Sequence, residues 1–233
     1  MTAPSRRQTY GSAFYEKIRK GSQDSAAVIV PMILDVLPEQ ARFGQRRSVL
    51  DVGAGEAWFA AEFEKYGCMV HAIDAGQVKE SAVEVLYWDL MQSFGNLYSQ
   101  VDLVVCLEVA EHLPESRAAS FIADLCEAGR AVLFSAAIPG QGGDGHINMQ
   151  WPRYWQRLFY DAGYLYSMGP RWQIWDDQRV KPWYRNNLGL AIPKEELGSF
   201  KYPEWFTDSG YDCHAVIHPD MWIDWKSAYT GPR

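Results

Sequence analysis

The feature that most constrains this chain is the run Val49-Leu50-Asp51-Val52-Gly53-Ala54-Gly55-Glu56. A short aliphatic stretch, Arg47 to Val52, ends abruptly on two glycines. Apolar side chains at helical spacing follow: Trp58, Phe59, Ala61, Phe63 and Tyr66. Such a run predicts a buried strand, a tight turn and then a helix. Gly53 and Gly55 remove side chains where the chain must reverse, so a ligand can approach the backbone and the start of the helix.

The same alternation continues downstream. Strands are expected at Met69 to Ile73, Val83 to Tyr87, Val101 to Leu107 and Arg130 to Ala136. Val101 to Leu107 is almost wholly apolar, as a strand buried on both faces should be. Helices are expected at Ala57 to Tyr66, Ser116 to Ala128 and Trp151 to Ala162, each followed closely by a glycine. Two more strands fit Leu165 to Met168 and Leu188 to Ile192. Upstream, Phe14 to Lys20 suits one or two helical turns. Ser25 to Leu37 suits a helix in which Pro31 leaves room for a break or a kink. Strands alternating with helices define an α/β fold with a mostly parallel sheet of seven strands flanked by helices. Ligands in such sheets bind beyond the carboxyl ends of the strands. Attention therefore falls on residues 51–56, Asp74, Asp89, 108–112 and 137–148.

Length and charge narrow the class. The chain has 233 residues, enough for one such domain, and 48% of them are hydrophobic, which rules against disorder. The formal net charge of -7 argues against a broad basic surface for nucleic acid. Cys68, Cys106, Cys126 and Cys213 match no zinc pattern and read as thiols in a reducing compartment. Met1 to Lys20 is polar, with no secretory core, and no apolar stretch approaches the roughly 18 residues of a membrane span. A cytoplasmic protein without a membrane span is expected.

The carboxylates are more specific. Asp51, just before the turn, suits a cationic amino group. Trp58 occupies the third position of a G-x-G-x-x-G pattern and crowds a pyrophosphate. Asp74 ends the second strand and can accept hydrogen bonds from both hydroxyls of a ribose. Asp89 follows the third strand, where it can meet the exocyclic amine of adenine while Trp88 covers the base.

These residues, with Val101-Asp102-Leu103-Val104-Val105-Cys106-Leu107-Glu108, resemble the class I S-adenosyl-L-methionine-dependent methyltransferases. The resemblance implies their Rossmann-like fold. It also implies cofactor contacts from Tyr15, Ser25, Asp51, Gly53, Ala54, Gly55, Asp74, Ala75, Trp88, Asp89, Leu90, Leu107 and Glu108. The likeness extends, over roughly Tyr15 to Ile192, to a bacterial small-molecule branch associated with sugars and glycans. It rests there on Gly21-Ser22, Ser25-Ala26, Gly145-His146-Ile147-Asn148, Trp151, Trp155 and Trp183-Tyr184-Arg185-Asn186-Asn187. It implies residues 1–46 as an N-terminal helical cover, 47–192 as the methyltransferase domain and 193–233 as an aromatic-rich extension packed on the core.

The expected reaction is methyl transfer to an oxygen of a small polar acceptor: a sugar, a glycan unit or a secondary metabolite. His146, Glu111 and His112 are the candidate catalytic residues. The glycine-rich loop Ile138 to His146 is a candidate cover for the acceptor. Glu108, Glu111 and His112 lie at spacings that one helical turn would bring together, with His146 alongside. Those four could bind Mg²⁺ or Mn²⁺ and lower the pKa of an acceptor hydroxyl. The set resembles the metal site of certain 2'-O-methyltransferases and of a ubiquinone-pathway O-methyltransferase. A metal-dependent RNA 2'-O-methyltransferase and a non-catalytic scaffold subunit are the alternatives. Against the first stand the acidic charge and the lack of an RNA-binding appendage. Against the second stands the complete set Asp51, Gly53, Gly55 and Asp74. Hydride transfer is disfavoured by Trp58. Some of the rings Trp172, Trp175, Trp183 and Tyr184 are expected to shape the acceptor pocket.

Overall fold

The computed structural model describes residues 12–39, 46–76, 80–98, 100–206 and 215–221, with side chains from residue 18 onward. Cys213, Trp222 and Trp225 lie outside the described residues. The strands are β1 (Ser48–Val52), β2 (Met69–Asp74), β3 (Leu86–Tyr87), β4 (Val101–Leu107), β5 (Gly129–Ser135), β6 (Tyr164–Ser167) and β7 (Gly189–Pro193). They form one sheet in the order β3-β2-β1-β4-β5-β7-β6. Pairing is parallel throughout β3 to β5, and β7 runs antiparallel between β5 and β6. The expected seven-stranded, mostly parallel sheet is present.

Alternation along the central strands explains its two covered faces. In β4, Val104 and Cys106 face one apolar cluster with Phe94, Phe121 and Phe159, while Leu103 and Val105 face another with Ile29, Phe63 and Phe206. The helices α3 (Glu115–Ala128) and α4 (Pro152–Asp161) cover the first face; α1 (Ser12–Val36) and α2 (Trp58–Lys65) cover the second. Two-faced burial of this kind needs the near-continuous apolar run that β4 has.

Two expectations need correction. The α1 helix is continuous from Ser12 to Val36, and Pro31 lies inside it. An interior proline costs about 3 kcal/mol. Ile29, Val30, Ile33 and Val36 are all buried, and each such side chain returns roughly 1.5–3 kcal/mol. Packing therefore outweighs the proline. The third strand is shorter than expected, since only Leu86 and Tyr87 pair, opposite Ile73 and Asp74. Val83 and Val85 instead pack against Ala57, Ala60 and Ala72, so their apolar character serves packing rather than a ladder. Among the described residues no helix is long and apolar enough to cross a membrane.

Candidate active site

The glycine turn after β1 is built as its sequence demands. Gly53 and Gly55 have φ of 74° and 53°, a region glycine enters without steric cost. A Cβ at Gly53 would also collide with the side chain of Val109. The turn and the loop after β4 thus abut. Asp74 fixes the turn, its Oδ2 accepting the Gly55 N–H at 2.8 Å and its Oδ1 the Gly76 N–H at 2.5 Å. Burial raises the Asp74 pKa, and these two N–H groups oppose the shift. Asp51 lies deeper. It is 5% exposed, accepts the Ala60 N–H at 3.3 Å, and burial pushes its pKa up to about 7.

At the end of β3, Trp88 packs partly against the core, and its buried indole N–H has no acceptor. Asp89 Oδ1 accepts the Met91 N–H at 3.1 Å. Behind this turn Arg117 of α3 donates to the carbonyls of Leu90 and Gln92, both at 3.1 Å, and pairs with Asp124. Leu90 is buried beneath the turn, and Ala75 is exposed at the rim after β2.

Of the two cofactor-side expectations at the N-terminal helix, one is redrawn and the other falls outside the described side chains. Ser25 is fully buried; its hydroxyl donates to the Gly21 carbonyl at 2.7 Å and accepts the Lys181 N–H at 3.0 Å. Those bonds make Ser25 a brace between α1 and the start of α6 (Pro182–Asn187), not a ligand contact. Tyr15 lies on the first turns of α1, and its side chain is outside the described part. The anchor that does hold α1 over the turn is Arg19, whose guanidinium binds Glu56 through Nε at 3.0 Å and Nη2 at 2.6 Å. The Trp58 indole N–H reaches the same carboxylate at 2.9 Å. The pairing of Arg19 with Glu56 is not legible in the sequence, because a single arginine 37 positions upstream carries no local signal.

Beyond β4, Glu111, His112 and His146 converge, with ligand-capable atoms within 4.8 Å of one another. His146 Nε2 lies 3.9 Å from Glu111 Oε1, and the two imidazole rings meet edge to face at 4.9 Å. Glu111 is fully buried, and neither carboxylate oxygen has a hydrogen-bond partner of good geometry. Burial first, then the charge of Glu108, drives its pKa well above the usual range, against the weak pull of its own and the Ala137 N–H. Burial also lowers both imidazoles, His112 to about 4, so both are neutral at neutral pH.

Glu108 does not join this cluster, which corrects the expected four-residue metal set to three. Its φ of 56° turns the chain before the 3-10 turn Ala110–His112 begins. Its carboxylate instead accepts Gln141 Nε2 at 2.8 Å and Asn187 Nδ2 at 3.1 Å. Leu107, half-buried, ends β4 beside it.

The aromatic expectation divides. Tyr184 is buried and packs edge-on against Phe59 at 5.5 Å, and Trp183 lies 5.8 Å from it. Both serve the core first. Trp172 is 46% exposed and lies over Arg171 of α5 (Gly169–Gln173), while Trp175 packs on His218 at 4.4 Å. A cavity of about 370 Å³ lined by Cys126, Tyr164 and Glu195 sits at the opposite, amino-terminal ends of β4 and β5. It contains none of the residues above and is not the active site.

The fold and this arrangement define a class, an α/β domain with a glycine turn, an acidic residue after β2 and a polar cluster after β4. The chain belongs to a family described as a methyltransferase domain, whose profile matches residues 27–168. No curated protein matches it. Among solved structures it is similar to a SAM-dependent methyltransferase from Archaeoglobus fulgidus, at 18% identity and a TM-score of 0.52 over 65% of this chain and 73% of that one. It is also similar to magnesium protoporphyrin IX methyltransferase from Synechocystis PCC 6803 with bound SAH, at 16% identity and a TM-score of 0.53 over 80% and 90%. An O-methyltransferase family protein from Burkholderia thailandensis matches at 13% identity and a TM-score of 0.56 over 78% and 58%. At these identities the likeness is one of fold.

Proposed function

We propose that this methyltransferase uses S-adenosyl-L-methionine and transfers its methyl group to a hydroxyl of a small polar acceptor such as a sugar, a glycan unit or a secondary metabolite. The observation that carries the reading is the convergence of His146, His112 and Glu111 just past Val109, the residue that abuts the glycine turn. The cofactor's amino-acid end belongs at that turn, so the cluster stands where the methyl group emerges. The sulfonium supplies an already activated methyl; the chain must align the nucleophile and exclude water.

In this reading Asp74 holds the ribose, Asp89 and Trp88 the adenine, and Asp51 answers the ammonium group. His146, uncharged and 10% exposed, takes the acceptor's hydroxyl proton. The donor set also fits a divalent cation. A buried carboxylate lacking good donors and two neutral imidazoles are what Mg²⁺ or Mn²⁺ chemistry would use. Glu111, His112 and His146 would hold it, and a bound ion would lower the pKa of the acceptor hydroxyl. Bonds that tie Glu108 to two amides leave it outside that set.

Calorimetry tests the cofactor. S-adenosyl-L-methionine should bind in preference to NAD, and Asp74→Ala should weaken binding at least tenfold while the protein stays folded. Tight NAD binding, or unchanged affinity in that variant, sinks the assignment. Transfer of a labelled methyl group to a panel of hydroxylated small molecules then finds the acceptor. Repeating it after chelation, and again with Mg²⁺ or Mn²⁺ restored, separates metal-assisted transfer from metal-free base catalysis by His146.

A further inference from the structure

The segment between Ile138 and His146 is held down at both ends and across its middle. At its far end Ile147 and Asn148 donate their N–H groups to the Glu111 carbonyl at 2.9 and 3.0 Å, and the Gly145 carbonyl lies 3.3 Å from His112 Nδ1. In its middle, Gly143 lies so close on the His146 ring that a Cβ there would collide with three ring atoms. The covered Nδ1 of His146 has no hydrogen-bond partner of good geometry, and the backbone of Gln141 lies against the ring. At its near end everything converges on Gln141. Its side chain donates to Glu108 at 2.8 Å, accepts Asn187 Nδ2 at 2.9 Å and accepts the Ile138 N–H at 3.4 Å. Asn187 shares its amide between Gln141 and Glu108, and Asn186 in turn donates to Asn187 at 2.5 Å.

We propose that Gln141, Asn187 and Glu108 form a clasp that holds the 138–146 segment closed over His146, so that Gln141 and Asn187 are positioning residues for that imidazole. The first argument is convergence. Three side chains from the loops after β4 and β5 and from α6 meet in one partly buried network, in which Gln141 reaches across from the segment to Glu108. The second is strain. Glu108 is a non-glycine residue in the left-handed region, and such a conformation persists only where surrounding bonds hold it. Here that geometry aims its carboxylate at the clasp. The third is composition. Gly140, Gly142, Gly143 and Gly145 let the segment move once the clasp releases. An acceptor can reach His146 Nδ1 only after that release, and reclosure restores the ring's position and excludes water.

The consequence for catalysis rests on His146 as the base, but the clasp itself can be tested without an acceptor. The probe is diethyl pyrocarbonate, with modification of each histidine followed by mass spectrometry. In the wild-type protein His146 should react slowly. Gln141→Glu places a carboxylate against Glu108 and should open the clasp; Asn187→Ala removes the shared donor. Each should speed His146 modification at least tenfold. The double variant should be no faster than the quicker single one, because both break the same element. Partly exposed His71, which lies outside this network, is the internal control and should keep its rate. Unchanged His146 reactivity in both variants overturns the proposal. So does a parallel rise at His71, which would mean general loosening. Gln141→Met provides a second opening of the clasp if the glutamate variant does not fold. A His146→Ala protein that transfers methyl groups at the wild-type rate would defeat the base reading alone, leaving the clasp result to stand on its own.

Discussion

Asp51 shows how one buried carboxylate links stability to binding. An acid whose pKa rises on folding is protonated in the folded chain and ionised in the unfolded one between the two values. Here those are the ordinary aspartate value of 3.8 and about 7. Across that window the unfolded state binds fewer protons, so stability falls as pH rises, and above about pH 7 the loss is complete. A cationic ammonium group beside Asp51 would favour the ionised form. Affinity for S-adenosyl-L-methionine should therefore rise between pH 6 and 7.5, before the cofactor's own amine begins to lose its proton near 8. Calorimetry across this range should show the rise in the wild-type protein and a flat profile in Asp51→Asn. Equal slopes in both would remove Asp51 from the cofactor's charge balance. The carboxylates at strand ends were legible in the sequence because the strand–turn–helix rhythm places them. Gln141 and the turned-away Glu108 were not. Spacing alone put Glu108 with Glu111 and His112, and a single left-handed φ undid it.

Among elements, α1 departs furthest from its local signals. Propensity favoured a break at Pro31; burial of four aliphatic side chains overrode it. Among the polar contacts that place it are two near the site that sequence spacing cannot reveal, Arg19 with Glu56 and Ser25 with the Lys181 N–H. They make distinct predictions. Ser25→Ala leaves a backbone N–H without its acceptor, which costs about 1–3 kcal/mol. Urea unfolding should show that loss, while cofactor affinity stays within about twofold. A tenfold weaker affinity would restore Ser25 as a cofactor contact. Glu56→Ala removes the partner of both Arg19 and Trp58 beside the glycine turn. It should cost roughly 2 kcal/mol and also weaken cofactor binding, because α1 then loses its hold over the site. The sheet itself was readable almost strand by strand, since apolar runs bounded by glycines mark its members. Its order was less so. That β7 inserts antiparallel between β5 and β6 follows from pairing between distant segments.

Under the proposed function, the whole molecule divides by job. The β1–β3 side carries the groups assigned to the cofactor, Asp51, Asp74 and Asp89. The β5–β7 side carries the 138–146 segment, α5, α6 and residues 215–221. That last short segment is not loosely attached. His218 is 4% exposed; its ring lies 2.8 Å from the Trp175 carbonyl and 3.3 Å from Arg185 Nη1. Its N–H donates to Asn186 Oδ1 at 2.7 Å, and Arg185 pairs with Asp220 at 2.6 Å. Through Asn186 and Asn187 this seat reaches Glu108. Removing residues 207–233, or the single change His218→Ala, should therefore destabilise the molecule on one side only. Loss of the buried histidine's bonds is worth about 2–3 kcal/mol, and for a chain of this size each kcal/mol shifts Tm by roughly 2–4 °C. A fall of about 5–10 °C is expected for His218→Ala, and a larger one for the truncation. Cofactor affinity should stay within about twofold in the point variant, because none of the groups assigned to the cofactor touches His218. Faster exchange of backbone amides should appear first in α5 and α6 and not in β1 or β2. If affinity for S-adenosyl-L-methionine fell in step with Tm, the two sides would be one cooperative unit, and the separation of cofactor and acceptor duties across the sheet would be wrong.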